Sequence, residues 1–274
     1  LKDNNYEVTS DVAEADLILV NTCSIRENAE QRVKKRLIEF DSLRKKKSWL
    51  RIGVLGCMAE RLQEQLVKEC KVDVVVGPDS YRDIPILLNE VEKNKRAYIS
   101  TTLSEEETYS DIAPVKLDTN GVTAFISIMR GCENFCSYCV VPYTRGRERS
   151  RDPKTIIAEA QDLFNKGYRE VTLLGQNVNS YIWNKGEVDE INFAKLMELV
   201  AKISPLLRIR FSTSHPKDIS QELLDVISKY DNICKFIHLP LQSGSTRMLK
   251  LMNRKYTRED YMNKITAIKN TIKD

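Results

Sequence analysis

The stretch that decides the fold is Gly131-Cys-Glu-Asn-Phe-Cys-Ser-Tyr-Cys139, which sets three cysteines in a C-x3-C-x2-C pattern. Thiolates this close together are typical of a metal site, and iron–sulfur clusters are usually held by about four of them. A cluster held by three cysteines leaves one iron open to a group that is not protein. The pattern therefore predicts a [4Fe–4S] cluster on Cys132, Cys136 and Cys139.

Two other uses of these cysteines are less favoured but stay open. A structural zinc site needs a fourth nitrogen or sulfur ligand, and both histidines of the chain, His215 and His238, are far away in sequence. A disulfide framework would use seven cysteines, an odd number at low density in 274 residues. A chain of this size can build a core without disulfides.

The composition is that of an ordinary globular protein, with 42% hydrophobic and 30% charged residues. No apolar run approaches the roughly 18 residues that span a bilayer, so we expect no membrane partner. Unpaired thiols fit a reducing compartment, which predicts a cytoplasmic protein. We expect it to be a monomer.

Residues 1–100 alternate between strand and helix patterns, which predicts a flavodoxin-like parallel sheet domain. The predicted strands are residues 16–20, 51–55 and 72–76. A capping box of Ser24 and Glu27 predicts that the first helix begins at Ser24. Ligands of such sheets lie beyond the carboxyl ends of the strands.

Residues 101–118 are polar and read as a linker. Residues 119–274 start a second α/β domain, with strands expected near residues 124, 171, 207 and 235, each followed by a helix. Four such units are too few to close a barrel, which needs about six to eight strands. This domain is therefore an incomplete TIM-type (β/α) barrel, and the chain reads as cut short at both ends.

Cys23 and Cys57 each follow a predicted strand of the first domain. The ends of adjacent parallel strands meet at one sheet edge, so we expect the two thiols to lie near each other. Two thiolates are too few for a cluster, and a third ligand is expected upstream of Leu1. Two isolated buried thiols are the alternative. Cys70 and Cys234 fit apolar patterns, where free cysteine behaves as a small hydrophobe.

A basic run follows the cysteine triplet, with arginines at every second position: Arg145, Arg147, Arg149 and Arg151. Pro142 and Gly146 argue against a helix, and an extended segment would set all four guanidinium groups on one side. Guanidinium groups suit phosphate oxygens, which predicts that these arginines bind a phosphate-bearing partner, such as RNA, beside the cysteine triplet. The alternative is a set of surface ion pairs with Glu148 and Asp152.

Several motifs together resemble the methylthiotransferases, a branch of the radical SAM enzymes. They are Asn21-Thr-Cys-Ser-Ile-Arg-Glu-Asn-Ala-Glu30, the run from Gly131 to Arg151, Leu174-Gly-Gln-Asn-Val-Asn-Ser-Tyr181, Arg210-Phe-Ser-Thr-Ser-His-Pro216 and His238-Leu-Pro-Leu-Gln-Ser-Gly-Ser245. The resemblance implies that Cys132, Cys136 and Cys139 hold the radical SAM cluster. It implies that Cys23 and Cys57 hold an auxiliary cluster with an upstream cysteine absent here. The family's C-terminal RNA-binding barrel is also absent.

The resemblance further implies two [4Fe–4S] clusters, S-adenosyl-L-methionine (SAM) and a reducing electron donor such as flavodoxin. The implied reaction is methylthiolation at C2 of N6-isopentenyladenosine in the tRNA anticodon stem-loop. The SAM-binding candidates are Tyr138, Gln176, Ser212 and Gln242. Sister activities on threonylcarbamoyl-adenosine or a ribosomal protein are alternatives, as is a non-catalytic iron–sulfur or zinc module that binds RNA.

Overall fold

The computed structural model describes residues 1, 4–24, 26–112 and 121–273. The chain divides into two units. The first unit comprises Leu1–Glu105 with Cys139–Gly146, and the second comprises Glu106–Tyr138 with Arg147–Asp274. A short segment after the cysteine triplet therefore groups with the N-terminal unit. No helix among the described residues is long and apolar enough to cross a membrane.

The first unit is a parallel sheet with helices on both faces. Its elements before residue 105 are β1 (Leu17–Thr22), α1 (Glu27–Leu43), β2 (Arg51–Gly56), α2 (Cys57–Leu62), α3 (Glu64–Cys70), β3 (Val74–Val76), α4 (Ile84–Asn94) and β4 (Tyr98–Ser100). The strand order is β1-β2-β3-β4, with every pair parallel. Val75 packs with α1, α2 and α3, whereas Val74 and Val76 pack against α4. Successive residues of a strand face opposite sides of the sheet, so the valines of β3 contribute to the hydrophobic cores on both sides.

The three predicted strands of this unit are confirmed as β1, β2 and β3. The predicted capping box is wrong, because α1 begins at Glu27 and its N-cap residue, Arg26, makes no side-chain cap. Ser24 instead donates its hydroxyl to the Glu30 carboxylate. Strand β4 was not predicted.

The second unit is built on three parallel strands. The elements of the second unit are β5 (Thr123–Ser127), β6 (Met129–Arg130), β7 (Arg149–Ser150), α6 (Pro153–Asn165), β8 (Glu170–Leu174), β9 (Ile182–Trp183), β10 (Ile191–Asn192), α7 (Phe193–Ala201), β11 (Arg208–Phe211), α8 (Gln221–Lys229), α9 (Thr246–Leu251) and α10 (Arg258–Thr271). The helix α5 (Val141–Arg145) lies between β6 and β7 in the sequence and belongs to the first unit. The strand order is β11-β8-β5. The helices α6 and α7 connect the parallel strands, as in a (β/α) barrel.

Alternating residues of this sheet are buried. Ala124 and Ile126 of β5 lie in the core, while Phe125 between them is exposed. The buried face packs against α6, α7 and α8, and the other face carries the alternate residues. The predicted α/β class, a parallel-sheet domain followed by an incomplete (β/α) barrel, is confirmed.

The strand predicted near Lys235 is absent from the described residues. Only an isolated bridge joins Ile209 to Ile233. Two backbone hydrogen bonds form here. The Ile209 N–H donates to the Asn232 carbonyl at 2.8 Å, and the Cys234 N–H donates to the Ile209 carbonyl at 2.9 Å. The Lys235 ammonium then bonds the carbonyls of Ile227 and Tyr230, which holds the chain on α8 instead of along β11.

Candidate metal centres

The cysteine triplet begins in a tight loop directly after β6. Gly131 has φ 77°, a conformation that glycine adopts without the strain of a side chain, so the chain turns sharply before Cys132. Cys132 and Cys136 are both buried and form no disulfide. The loop therefore presents two reduced thiols in a protected position.

Each of these two sulfurs accepts a hydrogen bond from a polar side chain. The Asn134 amide Nδ2 lies 3.4 Å from Cys132 Sγ, and Arg254 Nη1 lies 3.3 Å from Cys136 Sγ. Donors aimed at sulfur stabilise the thiolate form and tune the clusters that thiolates hold. The soft donor set and its N–H partners thus fit an iron–sulfur cluster.

The loop is also fixed from the end of α9. Asn253 Nδ2 donates to the Phe135 carbonyl at 2.8 Å, and the Ser137 amide donates to the Met252 carbonyl at 3.2 Å. Phe135 has φ 47°, so a non-glycine residue occupies the left-handed region inside the loop. The bonds from residues 252–254 hold that conformation in place.

Cys139 is half-buried and belongs to the first unit, just before α5. Among the residues with described positions, no group of three or more His, Cys, Asp or Glu side chains is placed to hold a metal ion. A cluster on Cys132, Cys136 and Cys139 therefore stays a prediction from the sequence, supported by the donors around two of the sulfurs.

The second cysteine set lies at the carboxyl edge of the first sheet. Thr22 and Gly56 are paired in the parallel register of β1 and β2, and Cys23 and Cys57 directly follow them. The expectation that these thiols follow neighbouring strand ends is confirmed. Cys57 is buried and opens α2, whereas Cys23 is exposed.

Cys57 has a partner from a distant part of the sequence. Arg145 Nε, at the end of α5, donates a hydrogen bond to Cys57 Sγ at 3.2 Å. Helix α5 packs on α2 within the first unit. Arg145, which was predicted to bind RNA, thus contacts Cys57, a predicted cluster ligand. The sequence pattern did not indicate this contact.

A buried carboxyl one turn beyond Cys57 was missed by the sequence analysis. Glu60 is 7% exposed, and its Oε2 has no hydrogen-bond partner in the described structure. Burial, followed by the charge of Asp79, raises the pKa of Glu60 from 4.5 to about 7. The i, i+3 spacing from Cys57 places Glu60 on the same side of α2, which is the signal that could have found it.

The arginine run from Arg145 to Arg151 does not form the predicted extended segment with all four guanidinium groups on one side. Pro142 lies in the first turn of α5, where its missing N–H costs nothing, so the segment through Arg145 is helical. Arg149 and Arg151 are buried, and Arg151 Nη1 bonds Glu159 Oε2 at 2.5 Å. Arg147 has a side chain that is 76% exposed and lies 4.0 Å from a Glu133 oxygen.

The four SAM candidates are distributed as follows. Gln176 follows β8, and its buried Oε1 has no partner among the described residues. Ser212 directly follows β11. Tyr138 is in the cysteine triplet, and its hydroxyl accepts a hydrogen bond from Arg254 at 3.4 Å. Gln242 was expected at the end of a fourth strand, but it lies in an exposed loop. Their contact with SAM stays a prediction.

Two family models match the chain. The model of the radical SAM superfamily matches residues 126–274, and that of the Uncharacterized protein family UPF0004 matches residues 1–77. The first match contains the C-x3-C-x2-C stretch, and the second contains Cys23 and Cys57.

Curated relatives match nearly the whole chain. A protein of Amoebophilus asiaticus named tRNA-2-methylthio-N(6)-dimethylallyladenosine synthase is 56% identical over 99% of this chain and 58% of its own length. A protein of the same name from Parabacteroides distasonis is 56% identical over 100% of this chain and 60% of its own length. The chain thus spans about three fifths of the length of these relatives.

Solved structures of two radical SAM enzymes share the fold. The methyltransferase TsrM from Kitasatospora setae aligns with a TM-score of 0.66 at 13% identity, over 95% of this chain and 56% of that chain. The cobalamin-dependent enzyme OxsB aligns with a TM-score of 0.63 at 13% identity, over 93% of this chain and 39% of that chain. At such low identity, the similarity supports a shared fold and nothing more.

Proposed function

Because the chain belongs to the radical SAM superfamily, we propose that it forms the catalytic part of a tRNA methylthiotransferase. The reaction adds a methylthio group at C2 of N6-isopentenyladenosine in the anticodon loop. The observation that carries this proposal is 56% identity, over essentially the whole chain, to relatives named for that activity.

The proposed radical SAM ligands are Cys132, Cys136 and Cys139. Cys23 and Cys57 are the proposed auxiliary ligands, which would give the whole protein two clusters. The aromatic C–H bond has no acidic hydrogen that a side-chain base could remove at pH 7, so the difficult chemistry belongs to cofactors. When bound, the clusters and SAM would supply the radical that takes this hydrogen and the sulfur that replaces it.

The protein's own part is to hold these groups and exclude water. Burial of Cys132 and Cys136 shields their sulfurs, while Asn134 and Arg254 orient the sulfurs through N–H donors. At the other site, the strand register sets Cys23 and Cys57 at neighbouring positions of one sheet edge. Gln176, with an unpartnered buried oxygen, is the candidate that best supports a polar ligand contact in the second unit.

The proposed substrate is accessible because anticodon-loop bases are single-stranded and can be splayed out. Of the four predicted RNA-binding arginines, Arg147 has the side chain that supports phosphate contact best, since it is 76% exposed. We expect a cytoplasmic monomer that takes electrons from a reducing donor such as flavodoxin.

The test uses anaerobically reconstituted protein, tRNA carrying N6-isopentenyladenosine, SAM and dithionite, followed by nucleoside mass analysis. We expect 2-methylthio-N6-isopentenyladenosine from the wild type and none from Cys136→Ala. Cys234→Ala is the matched control, because that half-buried thiol lies at the β11 edge outside both proposed sites. A methylthio group on threonylcarbamoyl-adenosine or on a ribosomal protein instead would overturn the substrate assignment.

A further inference from the structure

Arg254 is a buried cation placed beside the cysteine loop. It is 5% exposed and lies just beyond α9, next to the residues that bond the loop backbone. Its Nη1 is 3.3 Å from Cys136 Sγ and 3.4 Å from the Tyr138 hydroxyl. A single guanidinium nitrogen thus contacts two members of the C-x3-C-x2-C stretch.

The remaining contacts of Arg254 are uncharged. Nε donates to the Tyr256 hydroxyl at 3.3 Å, and the guanidinium lies 5.4 Å from the centre of that ring. The Tyr256 hydroxyl donates in turn to the Leu241 carbonyl at 2.9 Å. His215 stacks edge-on against Tyr256, and burial, with nearby cations, lowers its pKa to about 3, so it carries no charge at neutral pH.

No carboxylate of the described chain forms an ion pair with Arg254. Its Nη2 is buried and without a hydrogen-bond partner among those same residues. A buried guanidinium stays protonated, and leaving it without an anion is strongly unfavourable. The Cys136 sulfur that contacts Nη1 would be anionic as the ligand of a bound cluster, and the buried Nη2 would then have a cluster sulfide as a further acceptor.

We propose that Arg254 is a positioning residue that serves as the counter-cation of the Cys136 thiolate and favours the reduced state of the cluster held there. Reduction of a [4Fe–4S] cluster adds one electron from the donor and thus one negative charge. A fixed cation 3.3 Å from a ligand sulfur, in surroundings of low dielectric constant, would stabilise the more negative state of a bound cluster more than the less negative one. Removing it should make the cluster harder to reduce.

This inference rests on the proposed cluster site, so the experiment first establishes that site and then varies Arg254. Iron content and the electron paramagnetic resonance signal of the dithionite-reduced cluster are measured for the wild type without SAM. Reduction midpoints then follow from potentiometric titration of the wild type, Arg254→Met, Arg254→Lys and Arg247→Gln. Arg247→Gln removes the same charge from an exposed position on α9.

We expect Arg254→Met to lower the equilibrium constant for one-electron reduction about tenfold, which corresponds to a midpoint potential about 59 mV lower. Arg254→Lys keeps the charge and should recover at least half of that shift, and Arg247→Gln should leave the midpoint unchanged. Thermal unfolding of each variant identifies any loss of folding, and Arg254→Gln, which also removes the charge, carries the test if the methionine variant fails to fold.

Equal midpoints for the wild type and both Arg254 variants, with iron retained, would overturn the role of Arg254 and leave the proposed function standing. A wild-type protein that binds no iron after reconstitution would overturn both. A midpoint in Arg254→Lys lowered as far as in the charge-removing variant would also contradict the charge argument, since the lysine keeps the positive charge.

Discussion

The guanidinium of Arg145 donates a hydrogen bond to the sulfur of Cys57 at 3.2 Å, although 88 positions separate the two residues. Arg145 ends the short helix that follows the cysteine triplet, and Cys57 opens the helix at the carboxyl end of β2. The bond therefore ties the segment after one proposed cluster motif to a proposed ligand of the other.

Arg145→Ala should loosen α5 from α2. One hydrogen bond to a side chain contributes about 1 kcal/mol net, which corresponds to about fivefold faster amide exchange in Val141–Arg145. Exchange measured by mass spectrometry on that peptide gives the answer, with Arg147→Ala as the control two positions away. Equal protection in the two variants would show that the Arg145–Cys57 bond does not hold the helix.

Arg151 should contribute to folding rather than to RNA binding. Its guanidinium bonds Glu159 at 2.5 Å, Thr155 Oγ1 at 2.9 Å and the Ser127 carbonyl at 3.3 Å. Removal of one member of a buried ion pair leaves the other charge unpaired, so Arg151→Met should lower the free energy of unfolding by about 3–5 kcal/mol.

The double variant Arg151→Met with Glu159→Met should lose less than Arg151→Met alone, because no unpaired charge remains. Chemical denaturation of the wild type, Arg151→Met, Glu159→Met and the double variant measures the coupling. If the losses of the two single variants add up to the loss of the double variant, the two side chains act independently and the ion-pair account fails.

Arg147→Ala should weaken tRNA binding without changing stability. Its exposed side chain has only a 4.0 Å approach to Glu133 as an ion pair, so its removal leaves the fold intact. Loss of one phosphate contact should reduce the slope of log affinity against log salt by about 0.7–0.9. Binding of tRNA at several salt concentrations tests this, with Arg258→Ala, an exposed cation on α10, as the control. An unchanged slope would remove Arg147 from the RNA surface.

Glu60 should make stability fall as pH rises toward neutrality. Its pKa is about 7 in the folded protein and near 4.5 when unfolded, so its favourable contribution is complete below pH 4.5 and is lost up to about pH 7. Glu60→Gln should therefore gain up to roughly 3 kcal/mol over the wild type across that range.

Denaturation of the wild type and Glu60→Gln at a series of pH values measures this gain. Glu64→Gln, at an exposed carboxyl on the next helix, provides the control for a change of charge alone. A difference between Glu60→Gln and the wild type that stays constant from pH 4.5 to 7 would show that Glu60 titrates normally.

Strands were predictable where the apolar pattern alone determines them. Residues 72–76 hold four valines around Asp73, and the structure buries Val74–Val76 on both faces as β3. The segment 233–237 also alternates apolar residues around Lys235, but a strand needs a partner along its length as well. There the lysine side chain bonds α8 instead, and that long-range choice is not visible in local sequence.

The candidate sites divide in the same way. The places of Cys23 and Cys57 were predictable because position relative to strand ends is a local signal, and the parallel register puts them after neighbouring strand ends. Their role as cluster ligands stays a prediction. Glu60 and Arg254 were missed because a charged side chain reads as surface until its burial is known. The alternation from Arg145 to Arg151 misled because Arg145 ends α5 while Arg149 lies in β7, so the four arginines do not share one extended strand.

The central claim is that Cys132, Cys136 and Cys139 hold a radical SAM cluster. Its most direct test measures iron, sulfide and 5′-deoxyadenosine formed from SAM and dithionite, for anaerobically reconstituted wild type and Cys136→Ala. We predict at least about four iron atoms per chain and SAM cleavage in the wild type, with cleavage lost in the variant. Zinc in place of iron, or iron without any 5′-deoxyadenosine, would contradict the claim.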